Sequence, residues 1–263
     1  MRLRTAAVCL LAAPILACAP AARPPESPPR DRPRLTVLTY NVNFGLAGAP
    51  GVLGVIERTA ADLVLLQETT PEWEAALRAR LAAKYAHMEF HHAAGAGGLA
   101  VLGRRRFEIR GYLAAPSGWF PAALLVAETP LGPLQVLNVH LRPPFGGGAG
   151  YVSGYFGTRD VRRREIAAFY TRLDPRLPTL VVGDFNEDED GRAVRFLADR
   201  GLRTVLPEFQ PRVTTWRWAT SLGTLTKRLD HIACDRRLRP LVARVIPGGE
   251  SDHLAVAATF VTP

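Results

Sequence analysis

The chain is 263 residues long with a formal net charge of +9, and nearly all of its cations are arginine, Lys84 and Lys227 being its lysines. A chain of that length can bury a full core as one catalytic domain. Its charge admits nucleic acid or an anionic membrane as a partner but, in a sequence rich in Arg, Ala, Gly and Pro, demands neither. Of the three cysteines, Cys9 and Cys18 lie near the start, so Cys234 stands alone in the folded part; this excludes an internal disulfide, and the core must hold the fold.

In chain order, Arg2 and Arg4 precede an apolar stretch at 6–17 that is too short to span a bilayer, the layout of an export signal. Ile15, Leu16, Ala17 and Cys18 resemble the lipobox of bacterial lipoproteins. That resemblance implies a signal peptide at 1–17, lipid on Cys18 and a membrane-anchored lipoprotein facing the periplasm or cell surface. Cleavage near "APA" without use of the lipobox would give a secreted protein instead. Residues 19–34, "APAARPPESPPRDRPR", are Pro-rich with no apolar period, so 18–34 is expected to be an extended tether standing the domain off the membrane.

From Leu35 onward strand-like apolar runs recur: "LTVLTYNV", "ADLVLLQE", "GLAVLGR", "ALLVAETP", "LQVLNVHL", "TLVVGDFN", "RLDHIAC" and "HLAVAATFV". Helical patterns intervene at 51–59, 71–84, 160–173 and 192–200. Hairpin-like strand pairs mixed with helices indicate a layered α/β sandwich over a strictly alternating parallel sheet. The segment 146–158, "GGGAGYVSGYFGT", reads equally well as a mobile loop over an active site or as a flexible surface insertion.

Several strands end in groups that a core would not accept. They deliver Asn41, Glu68, Asn138 with His140, Asp184 with Asn186, Asp230 with His231, and finally Ser251, Asp252 and His253. In "TLVVGDFN" alternate side chains of an extended backbone share a face, so Asp184 and Asn186 should point together while Phe185 enters the core. Buried acids, amides and imidazoles are costly unless they satisfy each other, a metal or a substrate. These types suit oxygen ligation of a hard cation such as magnesium, a carboxylate base, and imidazoles beside a growing phosphate charge. Zinc-finger spacing, a Gly-rich phosphate loop and a Gly-x-Ser-x-Gly elbow are absent. Phosphate ester hydrolysis is the natural inference.

The ordered set "TYNV", "LLQE", "GLAVLGR", "NVHL", "GDFN", "LDHI" and "SDH" resembles the endonuclease/exonuclease/phosphatase superfamily, and the resemblance runs from Leu35 to Val261. It implies a catalytic domain at 35–263 with the α/β fold of a four-layered sandwich, two central mixed β-sheets flanked by helices and the site at one edge. By the same resemblance Glu68 binds a divalent metal, Mg2+ or alternatively Mn2+, with Asn41 beside it and Asp252 close by. Asp184 orients or deprotonates the attacking water, Asn186 holds a phosphate oxygen, His253 stabilises the transition state with Asp230 behind it, and His140 assists the leaving group. The implied activity is that of a monomeric, metal-dependent phosphodiesterase acting on DNA, RNA or a phospholipid headgroup. The alternative is a non-catalytic scaffold, which predicts an eroded site. Asn43 stands where abasic-site endonucleases carry an acid, and "NVHL" is closer to the deoxyribonuclease and sphingomyelinase branches. His231 is expected to be structural, residues 187–190 a solvated acidic turn, and Arg162, Arg163 and Arg164 a solvated helix face. Trp216 is open between core packing and a wall of the site.

Overall fold

A computed structural model describes residues 21–26, 32–144, 154, 156–221 and 223–263; residues 1–17, expected to be a signal peptide, Cys18 and most of the Gly-rich segment 146–158 lie outside these residues. The first sheet contains β1 (Leu35–Asn41), β2 (Leu63–Gln67), β3 (His87–His91), β4 (Leu99–Gly103), β13 (Arg239–Ile246) and β14 (Ala255–Val261), in the order β13-β14-β1-β2-β4-β3. The second contains β5 (Phe107–Leu113), β6 (Ala122–Thr129), β7 (Gly132–His140), β8 (Thr179–Asp184), β9 (Arg203–Thr204) and β12 (Asp230–Cys234), in the order β5-β6-β7-β8-β12-β9. Each sheet is mixed: β1 runs parallel to β2 and β7 to β8, while the other neighbours of these strands are antiparallel.

The alternation of side chains along each strand builds the layers. Leu35, Val37, Leu63, Leu65 and Val256 face Val136, Leu180, Val182 and Ile232 across the space between the sheets. The opposite face of the first sheet, with Leu38, Tyr40, Val64 and Leu66, receives α1 (Pro50–Thr59) and α2 (Pro71–Leu81). α1 presents Val52, Val55 and Ile56 and α2 presents Trp73, Leu77 and Leu81, the spacing of one helical face. Leu137, Val139, Val181 and Ala233 of the second sheet receive α3 (Arg159–Tyr170) and α4 (Arg192–Ala198). The chain is thus a four-layered α/β sandwich. Among the described residues no helix is long and apolar enough to cross a membrane.

Elements not legible in the sequence are mostly sheet edges and a projecting hairpin, β10 (Trp216–Thr220) with β11 (Gly223–Lys227). β3 and β5 are edge strands with mixed burial, and their charged and polar residues blur the apolar signal. β13, also an edge, has its register interrupted between Pro240 and Val242. The tether expectation changes in part: residues 21–26 lie on the domain, where Arg23 N donates to Glu208 O at 2.7 Å and Glu26 N to Leu241 O at 2.9 Å.

Two charged segments expected to be solvated are so only in part: Arg163, Arg164, Glu189 and Asp190 are exposed, but their neighbours are not. Arg162 and Glu187 are fully buried, and Arg162 Nε donates to Glu187 Oε2 at 3.0 Å. The other Glu187 oxygen accepts Ala193 N and Val194 N, so it closes the start of α4 as well. Asp188 accepts Arg228 N at 2.9 Å and Lys227 Nζ at 2.8 Å, and Glu189 accepts Arg228 Nη1 at 2.7 Å. The acidic run is an anchor because the backbone following Asn186 must turn inside the protein, where charges persist only when paired.

Removing one member of such a pair strands the other. Arg162→Met is expected to cost about 3–5 kcal/mol, read as a lower urea midpoint at constant slope; an unchanged midpoint would show that Glu187 does not depend on Arg162.

Candidate active site

The two sheets change character at one end of the space between them. The inner face of β1 runs Leu35, Val37, Thr39, Asn41; that of β2 runs Leu63, Leu65, Gln67; that of β7 runs Leu134, Val136, Asn138, His140. β8 passes from Leu180 and Val182 to Asp184, and β12, entering from the other end, begins at Asp230 before Ile232 and Cys234. The polar ends meet across the gap: Gln67 Nε2 donates to Asn138 Oδ1 at 2.7 Å, and Asn138 Nδ2 to Leu66 O at 3.1 Å. All of these amides are buried, so each must find partners, and they find them in the opposing sheet.

Strand register then sets the reacting groups abreast. Asp184 is the paired neighbour of His140 on one side and of Asp230 on the other. Gly183 makes this possible: its φ is +135°, and a Cβ there would lie 1.9 Å from Val139 O, so only glycine lets β7 and β8 approach just before His140 and Asp184. Phe185 is buried in the outer core of the second sheet, as expected. Asn186 reaches the cleft differently from the expectation, since the strand stops at Asp184 and Asn186 adopts φ +52°, with its N–H bonded to Asp184 Oδ1 at 2.8 Å. Asn43 and Glu68 also have positive φ, 61° and 63°. Left-handed backbone at non-glycine residues gathers where a site over-determines the chain.

Asn43, Glu68, His140, Asp184, Asn186, Asp252 and His253 line one cleft of about 570 Å³. Asp230 lies behind it, with both oxygens at 3.1 and 2.9 Å from His253 Nδ1. His253 Nε2 is 3.6 Å from Asp184 Oδ2, and His140 Nε2 is 3.5 Å from the same oxygen and 4.0 Å from Glu68 Oε1. Asn41 is buried and directs Nδ2 to Glu68 Oε1 at 2.9 Å and Asp184 Oδ2 at 3.1 Å, while its Oδ1 accepts Asn43 N. It therefore steadies two carboxylates. Asp252 accepts Asn43 Nδ2 at 3.0 Å and Trp216 Nε1 at 2.9 Å, so Trp216 is a wall of the cleft that also holds an acid. His231 lies outside the cleft, with Nε2 2.9 Å from Glu187 O.

Sequence reasoning left several supporting residues without a role. Thr215 Oγ1 accepts both Leu229 N and Asp230 N, and Ser251 Oγ donates to Asn41 O while accepting His253 N. Gln67 was visible only as the next inner-face position after Leu63 and Leu65. For Ser251 the available signal is a small hydroxyl just before a functional acid and imidazole, whereas Thr215, 15 positions from Asp230, gives none.

Electrostatics separates the two imidazoles. Burial lowers His140, with Asp184 opposing, and its Nδ1 lies 3.1 Å from Ala96 O, which leaves Nε2 toward the carboxylates. Burial also acts against a charge on His253, but Asp230 and Asp184 outweigh it and push the ring up to about 10. Burial raises Asp184 and Glu68, against His253 for the first and the Asn41 hydrogen bond for the second. Among the described residues no Lys or Arg ion-pairs with Glu68, Asp184 or Asp252. Glu68 and Asp252, half-buried beside the buried Asp184 and without such a partner, are an all-oxygen set that fits a hard divalent cation. Ligand atoms of Asp184, Asp230 and His253 also lie within 4.8 Å of one another, but Asp230 is already engaged with His253 Nδ1, so that trio is a hydrogen-bonded relay more than a ligand set.

Known proteins match this chain in family and in fold. The sequence pattern of the Endonuclease/Exonuclease/phosphatase family covers residues 38–253. A structure described as endonuclease/exonuclease/phosphatase from Beutenbergia cavernae DSM 12333 superposes with TM-score 0.64 at 19% identity, covering 88% of this chain and 72% of that one. An AP endonuclease from Archaeoglobus fulgidus gives 0.64 at 20% identity over 86% and 99%. TDP2 from D. rerio, complexed with single strand DNA product, gives 0.66 at 19% identity over 87% and 99%. A search by sequence among curated proteins returned no match.

Because the folded site holds His253 at about 10 against an ordinary 6.5, the stability its charge supplies is complete below about pH 6.5 and is lost as pH rises through about 10. Asp230→Asn is expected to lower the His253 titration seen by NMR and to flatten that decline in stability; an unmoved titration would remove Asp230 from this role.

Proposed function

The chain belongs to the Endonuclease/Exonuclease/phosphatase family, and from that premise we propose that it hydrolyses phosphodiester bonds with a divalent cation, Mg2+ or Mn2+, bound at Glu68. The observation that carries this reading is the convergence of Glu68, Asp184, Asn186, Asp252 and His253 on one cleft, with His140 abreast of Asp184. Glu68 and Asp252 would hold the cation, with Asn41 fixing the Glu68 carboxylate. When bound, it would supply Lewis-acid neutralisation of a phosphate oxygen.

The chain's own groups account for the remaining steps. Asp184 is an acceptor for a proton from water, and burial makes it more basic than a surface carboxylate. Its position is fixed by Asn41 Nδ2 and Asn186 N. Asn186 spends one amide hydrogen on Leu141 O at 3.0 Å, and the amide's second hydrogen suits a phosphate oxygen. His253, charged at neutral pH through Asp230, offers Nε2–H to the charge that grows on phosphorus. His140, neutral because burial lowers it, has no Nε2 proton of its own to give; with Nε2 3.5 Å from Asp184 Oδ2 it would hand the leaving alkoxide the proton that Asp184 takes from water. A scaffold without activity would have no use for buried, mutually opposed carboxylates, whose desolvation would be released by neutral substitutes.

The substrate class under this reading is a phosphodiester, in a nucleic acid or in a lipid headgroup. The leader and the four residues ending at Cys18 support export and lipid attachment, which would place the activity at a membrane surface outside the cytoplasm.

Asp184→Asn and His253→Gln are each expected to lower kcat on a generic phosphodiester about 10²–10⁴-fold, and a chelator should abolish turnover until Mg2+ or Mn2+ is restored. Parallel assays on plasmid DNA and a phosphosphingolipid assign the substrate; full activity of both variants on every diester would refute the reading.

A further inference from the structure

An aromatic path leads from the mouth of the cleft to the catalytic imidazole. Phe120 stacks on His140 with ring centroids 4.3 Å apart, and Trp119 meets Phe120 edge-on at 5.5 Å. Trp119 is 42% exposed and, like Phe120, lines the cleft. Over the Trp119 ring, with its guanidinium carbon 3.3 Å from the centroid, lies Arg142, two residues beyond His140 and beside Pro143, which lines the same cleft.

The backbone of Arg142 is clamped from both sides: its N–H donates to the buried Glu165 at 2.8 Å, and its carbonyl accepts Arg162 Nη1 at 3.2 Å. Its side chain is otherwise provided for. Nη1 is buried and has no hydrogen-bond partner among the described residues, whereas the more deeply buried guanidinium of Arg228 bonds Val213 O, Gln210 O, Pro211 O and Glu189. A held guanidinium with an unsatisfied donor, stacked on a residue that lines the cleft and next to another in the chain, is a receptor short of an anion.

We propose that Arg142, stacked on Trp119, binds the phosphate next to the scissile one, so that the substrate is a nucleic-acid strand. This rests on the reading of the cleft as a phosphodiesterase site. A guanidinium fork matches phosphate oxygens, and stacking on indole limits the freedom it loses on binding. A headgroup with a single phosphodiester offers Arg142 no second phosphate, whereas a strand carries one on the neighbouring nucleotide. Phe44 and Trp218, 48% and 47% exposed, line the same cleft and give bases flat surfaces on which to stack.

The test uses the full chain with Arg142→Gln, Arg142→Lys and Trp119→Ala. Binding of a fluorescein-labelled oligothymidylate is followed by anisotropy against salt in a His253→Ala background, and turnover of bis(p-nitrophenyl) phosphate, which has one phosphate, and of phosphocholine lipid vesicles is measured in the parent background. Arg142→Gln is expected to weaken the oligonucleotide about tenfold and to reduce the salt slope by about 0.7, the value of one single-strand phosphate contact, while one-phosphate turnover stays within about twofold. Arg142→Lys should keep the slope and lose affinity, and Trp119→Ala should lose affinity as well. An unchanged Kd and slope, or an equal loss on the one-phosphate diester, overturns the proposal. A loss confined to the lipid vesicles assigns the site to a headgroup and overturns it also. Oligonucleotide binding that depends on Arg142 in a protein cleaving no diester would uphold the contact and sink the hydrolase reading alone.

Discussion

Asp184 is the point on which the site is built. It is buried between two imidazoles, His140 and His253, takes an amide from Asn41, and is flanked in register by His140 and Asp230 on adjacent strands. A carboxylate with so little water must take its solvation from fixed protein groups. The elements that supply them, β1, β7 and the segment before β14, are thereby constrained to meet at one place, and β12 starts there with Asp230, which repels Asp184 and holds His253. The two sheets are held together at this end by polar contacts and elsewhere by aliphatic packing.

The site is supported by a second, structural set of buried charges. Arg162, Glu187, Glu165 and Asp188 lie just behind the catalytic side chains in sequence or space and fasten the turns that leave β7 and β8. Glu187 shows the economy of the arrangement: one carboxylate neutralises Arg162 and closes the start of α4. The turn carrying Asn186 at positive φ is therefore held at its far end by an ion pair, not left to the backbone's own preference.

The two imidazoles carry out different tasks because their surroundings push them in opposite directions. His140 is lowered by burial, with Asp184 opposing and the His253 charge adding to the fall; His253 meets Asp230 as well as Asp184 and is raised. A pair of like side chains so separated can present one neutral and one charged ring to a phosphate at the same pH. Cation loading at Glu68 would act on the same balance by relieving the repulsion among the acids.

Much of this could be read from the chain alone. The continuous apolar runs mark the strands buried on both faces, and the points where those runs turn polar pick out Asn41, Glu68, His140, Asp184, Asp230 and His253. Local pattern suffices there because a central strand is written in its own residues. What sequence could not determine depends on distant partners: that Glu187 and Asp188 anchor a turn whose last two acids are exposed, that Arg162 is buried, that Asn41 turns its nitrogen to two acids, and that Trp216 holds Asp252. Glu187 finds Arg162 across 25 positions and Trp216 finds Asp252 across 36. A charge or an indole has the same letter whether it meets water or a partner, and only the packing of the sheets decides which.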